Sequence, residues 1–331
     1  MTPGTAAAEG GPSAREVRVA VVGVGHLGRH HARIAASLRG VRCVGVVDRH
    51  PGRARDVGAE FGIPVLASLE EAADAAEAVV VATPTVTHAE IARTLVARGC
   101  DVLVEKPITT TVAEADALLA EARTHGRVVQ VGHVERYNPA VQAALALASD
   151  VRFIEIHRLG IFTRRSLDVD VVLDLMIHDL QIVQALVGRP VAEVRAVGMP
   201  VLTSSIDIAN ARIAFEGGCV AALTASRVSA DKVRRCEIFA PALSLSVDMQ
   251  AQSVRAYRLS RETGEPEIVG SSVAVEREEP LAREISDFVR AVRDRGAPLV
   301  SGEIGRDALV LASRVQEAIE RQRAVAEGVR A

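Results

Sequence analysis

The sequence predicts an α/β protein in two parts, a doubly wound parallel sheet followed by an α+β domain with an open-faced, mostly antiparallel sheet. Three observations carry this. Short apolar runs alternate with helix-patterned stretches as far as residue 139, the pattern of parallel strands joined by right-handed crossovers. The first apolar run ends in Gly23-Val24-Gly25-His26-Leu27-Gly28, a glycine pattern that opens a helix. After residue 150, strand-like runs follow one another with one helix among them, which calls for antiparallel pairing. With 331 residues, the chain exceeds the roughly 250–300 residues at which a single core stops growing.

Taken in order, Val17 and Val19 to Val22 form the first strand, and 29–38 continue the helix that the glycines open. His30 and His31 are adjacent and face different sides of that helix, so they read as surface or packing residues rather than metal ligands. A second strand over 41–47 ends in Asp48. A helix over 53–61, a short strand over 64–66 and a helix over 69–76 follow. The run 78–82 is apolar throughout, as a strand buried on both faces must be. It leads into Thr83-Pro84-Thr85-Val86-Thr87-His88, a loop at the carboxyl edge of the sheet, where open α/β sheets bind ligands. The threonines there either touch a ligand or cap the helix over 89–97. The strand over 101–104 runs into Glu105-Lys106-Pro107. A helix over 111–125 is capped by Thr111 and stopped by Gly126, and a strand over 128–131 leads to Gly132-His133-Val134-Glu135-Arg136-Tyr137-Asn138-Pro139.

In the second part, strands are expected over 151–159, 191–199, 208–216, 219–227, 234–240, 243–248 and 253–259. Gly217-Gly218 turns a hairpin between the third and fourth of these. The helix over 170–186 lies between the first two, and amphipathic helices over 281–295 and 304–324 close the chain. The division expected is 1–15 as a disordered tail, 16–135 as a nucleotide-binding domain, and 136–331 as a substrate-binding and oligomerisation domain. The last helices are free to pack back on the first domain.

Composition excludes several functions. A formal net charge of −3 argues against a nucleic-acid partner, and 2% aromatic residues leave nothing to stack on bases. No apolar run approaches the ~18 residues of a membrane span, and the Ala/Gly/Pro-rich start lacks a signal peptide's apolar region. Four scattered cysteines without metal-ligand spacing fit a reducing, cytoplasmic setting. No metal is expected, since Asp174, His178 and Asp179 have no further ligand set at metal spacing.

Each glycine of the first loop has a physical task. Gly23 turns the chain off the strand, Gly25 lets a pyrophosphate approach the backbone, and Gly28 lets helix and strand pack closely. The helix start presents free N–H groups and the positive dipole end to phosphate. An ordinary glycine-rich bend explains the loop alone, but not Asp48, which follows Gly28 by twenty residues (48 − 28) at a strand end. A carboxylate there accepts from ribose hydroxyls and repels a 2′-phosphate, so NAD is favoured over NADP, although Arg49 beside it softens the choice. Asp174 and His178, four apart, share a helix face. A carboxylate so placed orients an imidazole and sets its tautomer. Each of these features alone also has a plain structural explanation, as a surface helix pair or a turn.

The glycine loop, Asp48, Glu105-Lys106-Pro107 and Asp174-Leu175-Met176-Ile177-His178 together resemble the Gfo/Idh/MocA family of oxidoreductases. The resemblance covers nearly the whole chain beyond the tail. It implies an N-terminal Rossmann domain, an open-faced sheet used for assembly into homodimers or homotetramers, and NAD(P)-linked hydride transfer at a sugar or polyol hydroxyl. It also implies Lys106, Asp174 and His178 as catalytic residues. Between Lys106 and His178 the sequence leaves base duty open. The cofactor candidates are Gly23, Gly25, His26, Leu27, Gly28, Asp48, Thr83, Pro84, Thr85, His88, Glu105 and Lys106. Arg136, Tyr137 and Asn138, after a strand end, and the paired Arg164 and Arg165 are the substrate candidates, the arginine pair suiting a diphosphate. The segment from Asp168 to Leu173 departs from the glycine-rich stretch many members carry there. With His133 to Pro139, it is similar to a subgroup of UDP-N-acetylglucosamine 3-dehydrogenases, which implies oxidation at C3 of that sugar. An inositol or polyol dehydrogenase is the alternative substrate reading. A non-catalytic NAD(P)-binding regulator on the same fold is the rival from another class.

Overall fold

The computed structural model describes residues 15–163, 169–261 and 265–328. Val-rich runs form β1 (Val17–Val22), β2 (Val41–Val47), β3 (Ala78–Val81), β4 (Asp101–Glu105) and β5 (Val129–Gly132). They pair in parallel in the order β2-β1-β3-β4-β5. Every residue of β3 and β4 is buried, because helices cover both faces. Those helices are α1 (His26–Ser37), α2 (Pro51–Phe61), α3 (Leu69–Ala75), α4 (His88–Ala97) and α5 (Val112–His125). The strand order reverses between β1 and β3, which opens a crevice at their carboxyl ends. α5 is bounded as its residues dictate. Thr111 and Glu114 form a capping box, and Gly126 closes the helix in the left-handed conformation.

Eight strands make the second sheet: β6 (Phe153–Leu159), β7 (Val191–Met199), β8 (Ile208–Phe215), β9 (Val220–Ser226), β10 (Val233–Ala240), β11 (Leu243–Asp248), β12 (Ser253–Ser260) and β13 (Glu267–Val273). Their order is β13-β12-β11-β10-β6-β9-β8-β7, and only β6 with β9 is parallel. One face carries the core, where Ile154, Ile156, Ala211, Ile213, Leu223 and Leu245 are buried. It is covered by α6 (Pro139–Leu147), α7 (Ile177–Val187) and α9 (Gly302–Gly328). The other face exposes Val197, Met199, Phe239, Leu259 and Ile268. The last part of the chain returns to the first sheet. Ile285, Phe288, Val289 and Val292 of α8 (Pro280–Asp294) join one cluster with Val17, Val19 and Val21.

Several elements depart from expectation. Residues 64–66 make a single parallel bridge, Val46 with Val65, instead of a strand. α6 was not expected, although Asn138 caps it and Pro139 opens it, because those residues read as a loop toward substrate. β13 was also missed: it is an edge strand, exposed along nearly its whole length, so it has no alternating apolar pattern to betray it. The helix expected over 170–186 begins with a π-helical turn, Val172–Met176, before α7. Arg15, assigned to the tail, is ion-paired with Glu77, while residues 1–14 lie outside the described residues. Among the described residues no helix is long and apolar enough to cross a membrane.

Candidate active site

A cavity of about 1300 Å³ opens at the carboxyl ends of β1, β3 and β4 and runs on to α7 and β10. Drug-sized ligands occupy roughly 300–1,000 Å³, so this volume has room for a dinucleotide and a second molecule together. Gly23, Gly25, His26, Leu27, Asp48, Thr83, Pro84, Thr85, Glu105 and Lys106 line one end. Asn138, Asp174, His178 and Arg234 line the other.

The glycine loop fits a dinucleotide pyrophosphate. A Cβ on Gly25 would have only an Arg53 nitrogen within 4 Å, at 3.9 Å, so the backbone faces open space on the cavity side. No side chain caps α1 at Gly25, which leaves its first N–H groups for a ligand. Gly28 does not line the cavity. A Cβ there would lie 1.7 Å from the Gly23 carbonyl oxygen, so its part is to let α1 cross the loop. Asp48 does more than face the ribose end. Its Oδ2 accepts from the Val24 N–H at 2.9 Å and its Oδ1 from the His50 N–H at 2.8 Å, so the carboxylate also clamps the glycine turn.

Thr83, Thr85 and Thr87 all line the cavity and no side chain caps α4, so the capping alternative is not realised. Thr87 Oγ1 instead lies within hydrogen-bond distance of Thr83 Oγ1 and of the Pro84 carbonyl, 2.8 Å from each. His88 is a correction: it is buried away from the cavity. Its ring nitrogens meet the Pro107 carbonyl at 2.8 Å and the Thr83 carbonyl at 2.9 Å, which ties the two cofactor-edge loops together. His31 is buried and its Nε2 lies 2.8 Å from Glu105 Oε1. Glu105 Oε2 in turn accepts the Lys106 N–H at 3.1 Å. Burial raises the Glu105 carboxyl, but the bond and charge of His31, with the charge of Lys106, outweigh it and hold it below the usual range. Glu284 of α8 lies in the same buried cluster. Burial, then the charges of Glu105 and Asp287, push it well above the usual range.

At the chemical end, Lys106 Nζ donates to Asp174 Oδ1 at 3.0 Å and to the Asp174 carbonyl at 2.6 Å. The sequence assigned that carboxylate to His178, and this is a correction. Among the described residues no hydrogen bond joins Asp174 to His178, because Lys106 reaches across from the first sheet and takes it. The π-helical turn that carries Asp174 is set by Asp170, whose Oδ1 accepts the N–H groups of Val172 and Leu173, and whose Oδ2 accepts from Gln316 of α9. π turns are rare and recur at functional sites.

His178 lines the cavity from α7. Burial first, then the charges of Lys106 and Arg158, lower its pKa well below 6.5. A buried network fixes the helix beneath it. Both Arg158 Nε and Nη2 donate to Asp179, at 2.9 and 2.6 Å, and Nη1 donates to Glu135 at 2.7 Å. Glu135 also accepts from Arg234 Nη1 at 2.8 Å. Removing one partner of such a buried pair costs about 3–5 kcal/mol, because it strands the other charge.

Of the substrate candidates, Asn138 lines the cavity, and its Nδ2 donates to the Met249 carbonyl at 2.8 Å. Tyr137 does not. It is buried, and its hydroxyl donates to Asp287 at 2.9 Å. Arg136 is likewise absent from the cavity wall. Arg164 and Arg165 lie outside the described residues, as does Asp168. The structure adds Glu135, Arg234, Met249 and Gln252 to the wall. Glu135 belongs to the stretch after β5 that the sequence singles out, whereas no local motif marks the other three, since β10 and the turn after β11 reach the cavity only through the order of the second sheet.

Two family models match the chain. Residues 17–133 match an oxidoreductase family with an NAD-binding Rossmann fold, and residues 120–245 match a GFO/IDH/MocA C-terminal domain. A UDP-N-acetylglucosamine 3-dehydrogenase of Acidithiobacillus ferrooxidans is 36% identical over 307 residues, which cover 92% of this chain and 97% of that protein. Its solved structure superposes with a TM-score of 0.87, covering 92% of this chain and 98% of the other. A scyllo-inositol 2-dehydrogenase (NAD(+)) of Bacillus subtilis is 30% identical over 246 residues, covering 65% of this chain and 68% of that protein.

Proposed function

The chain belongs to the Gfo/Idh/MocA family of NAD-binding oxidoreductases, and from that membership we propose that it oxidises the C3 hydroxyl of UDP-N-acetylglucosamine to a ketone. The observation that carries the reading is one cavity shared by the glycine loop, Asp48, the Lys106–Asp174 pair and His178. The choice of sugar is supported by the 36% identity across nearly the full length of a dehydrogenase with that name, against shorter matches to inositol dehydrogenases.

NAD, bound along the glycine loop and Asp48, supplies the hydride acceptor. Secondary-alcohol oxidation also needs a base for the hydroxyl proton and a positive group near the oxygen. His178 takes the base role, because its surroundings keep the imidazole neutral and able to accept. Lys106, paired with the Asp174 carboxylate, holds its ammonium beside the reacting oxygen and stabilises the charge that develops there. Asn138 and Arg234 offer polar contacts to the sugar end, and Arg164 and Arg165 are assigned to the diphosphate. The exposed apolar face of the second sheet supports assembly into a homodimer or homotetramer. Four free cysteines, three of them buried, support a cytoplasmic setting.

The experiment is NADH formation by the purified protein with NAD and UDP-N-acetylglucosamine, beside free N-acetylglucosamine and myo-inositol, with a ketone trap to pull the equilibrium. Turnover confined to the nucleotide sugar is expected. Turnover with inositol alone moves the substrate to polyols. NAD binding without turnover on any of them favours a regulator.

A further inference from the structure

Among the described residues, two cations line the chemical end of the cavity, Lys106 and Arg234, and their bonds differ. Lys106 Nζ is held by both the carboxylate and the carbonyl of Asp174. Arg234, the second residue of β10, commits only Nη1, which donates to Glu135 Oε1 at 2.8 Å. That oxygen already accepts from Arg158 Nη1 at 2.7 Å. The remaining edge of the Arg234 guanidinium, Nε with Nη2, makes no hydrogen bond among the described residues, and neither atom is buried. Arg158 shows what this edge does when it has a partner: its own Nε and Nη2 grip the Asp179 carboxylate at 2.9 and 2.6 Å.

The charges around Arg234 do not balance it. Glu135 is one carboxylate between two guanidinium groups, and Arg158 takes Asp179 for itself. Burial first, then the positive charge of Arg158, lower the Arg234 pKa, and the attraction of Glu135 and Asp179 does not make up the difference. The cavity wall therefore carries a cation whose cost is not met by its neighbours. The backbone beneath it is fixed, since the Met249 N–H donates to the Arg234 carbonyl at 3.0 Å, and Asn138 Nδ2 donates to the Met249 carbonyl at 2.8 Å. The charge of Arg234 is felt at His178, so the open edge stands at the reacting end and not at the glycine loop. Two parallel N–H donors on a planar cation match two oxygens of a phosphate. We propose that Arg234 determines substrate specificity, its free Nε–Nη2 edge donating to two oxygens of the phosphate attached to the sugar. A neutral polyol leaves that edge unpaired, so the site discriminates by charge as well as by shape.

This inference rests on the nucleotide-sugar reading and deepens it, and the test keeps the two apart. Arg234→Met removes the charge and keeps much of the length, while Arg234→Lys keeps the charge and loses the paired donors. Glu135 retains Arg158 and Asn138 as partners in both variants, and NADH affinity reports whether the cofactor loops survive. By calorimetry with NADH present, Arg234→Met is expected to bind UDP about 10- to 100-fold more weakly than wild type, the usual effect of deleting a hydrogen bond between charged groups. Arg234→Lys should fall between the two, with NADH affinity nearly unchanged. In turnover, the loss should fall on KM for UDP-N-acetylglucosamine far more than on kcat. Equal UDP affinity in Arg234→Met and wild type overturns the inference. A loss confined to NADH also overturns it, because the edge then serves the cofactor's pyrophosphate. Wild type supplies a check that needs no variant: UDP should bind far more tightly than uridine, and less tightly as salt rises, and equal affinities overturn the inference. Should UDP binding depend on Arg234 while UDP-N-acetylglucosamine is not oxidised, the proposed reaction falls and the phosphate site stands.

Discussion

Because the Lys106 ammonium lies 3.0 Å from the Asp174 carboxylate, its positive charge is held in the cavity and works against protonation of His178. The sign of the pH dependence follows. A base must be neutral to act, and a lowered pKa keeps it neutral into more acidic solution. The acid limb of kcat/KM is therefore expected below pH 6.5, the ordinary imidazole value. A limb at or above that value contradicts the assignment. Lys106→Met removes the charge, so the His178 pKa should rise, which an NMR titration of the His178 ring reads directly. The same variant should lose about 10²–10³ in kcat, the usual effect of deleting one group that stabilises a developing oxyanion. An unmoved or lowered His178 pKa would show that burial alone sets it.

At the scale of elements, α8 is docked on the first sheet over a carboxyl that has no hydrogen-bond partner among the described residues, Glu284. Its pKa is raised on folding, so the native state binds a proton that the unfolded chain releases above about pH 4.5, the ordinary value for the group. Stability from this residue is full below that pH and is lost as pH rises toward the raised value. Glu284→Gln removes the proton requirement. The variant should melt higher than wild type at pH 8, with the gap narrowing toward pH 5. A gap that widens toward acid contradicts the protonated reading. The crossing of α1 over β1 depends on Gly28 in a comparable way. Gly28→Ala would force a methyl into the Gly23 carbonyl, and a loss of about 1–3 kcal/mol or more in unfolding free energy is expected, with weakened NAD binding.

These elements also mark how far the sequence could be read. Strands with a clear apolar pattern, such as β3 and β8, were placed to within a residue, because burial on one or both faces leaves a periodic trace. The Gly loop, Asp48 and Lys106 were legible for a related reason: each stands at the end of such a strand, and the fold puts strand ends at the crevice. The Asp174–His178 partnership was misread. Helical spacing shows which residues share a face, but not that a lysine from another sheet claims the carboxylate. The His31–Glu105 and His133–His178 contacts join elements over seventy and forty residues apart in sequence, roughly, and no local pattern encodes them.

Across the whole molecule, the parallel sheet supplies the cofactor loops and Lys106, while the second sheet with α7 supplies His178 and Arg234. The cavity exists only where the two meet. The returning helices α8 and α9 hold that junction from the far side: α8 joins the β1 core, and Gln316 of α9 binds Asp170 beneath the π turn. Substrate oxidation at this junction is the central claim, and hydride origin tests it most directly. UDP-N-acetylglucosamine carrying deuterium at C3 should be turned over with NAD and the reduced cofactor weighed by mass spectrometry. The expected result is deuterium in the NADH, one per ketone formed. Reduced cofactor without deuterium would place the oxidised carbon elsewhere on the sugar and contradict the assignment.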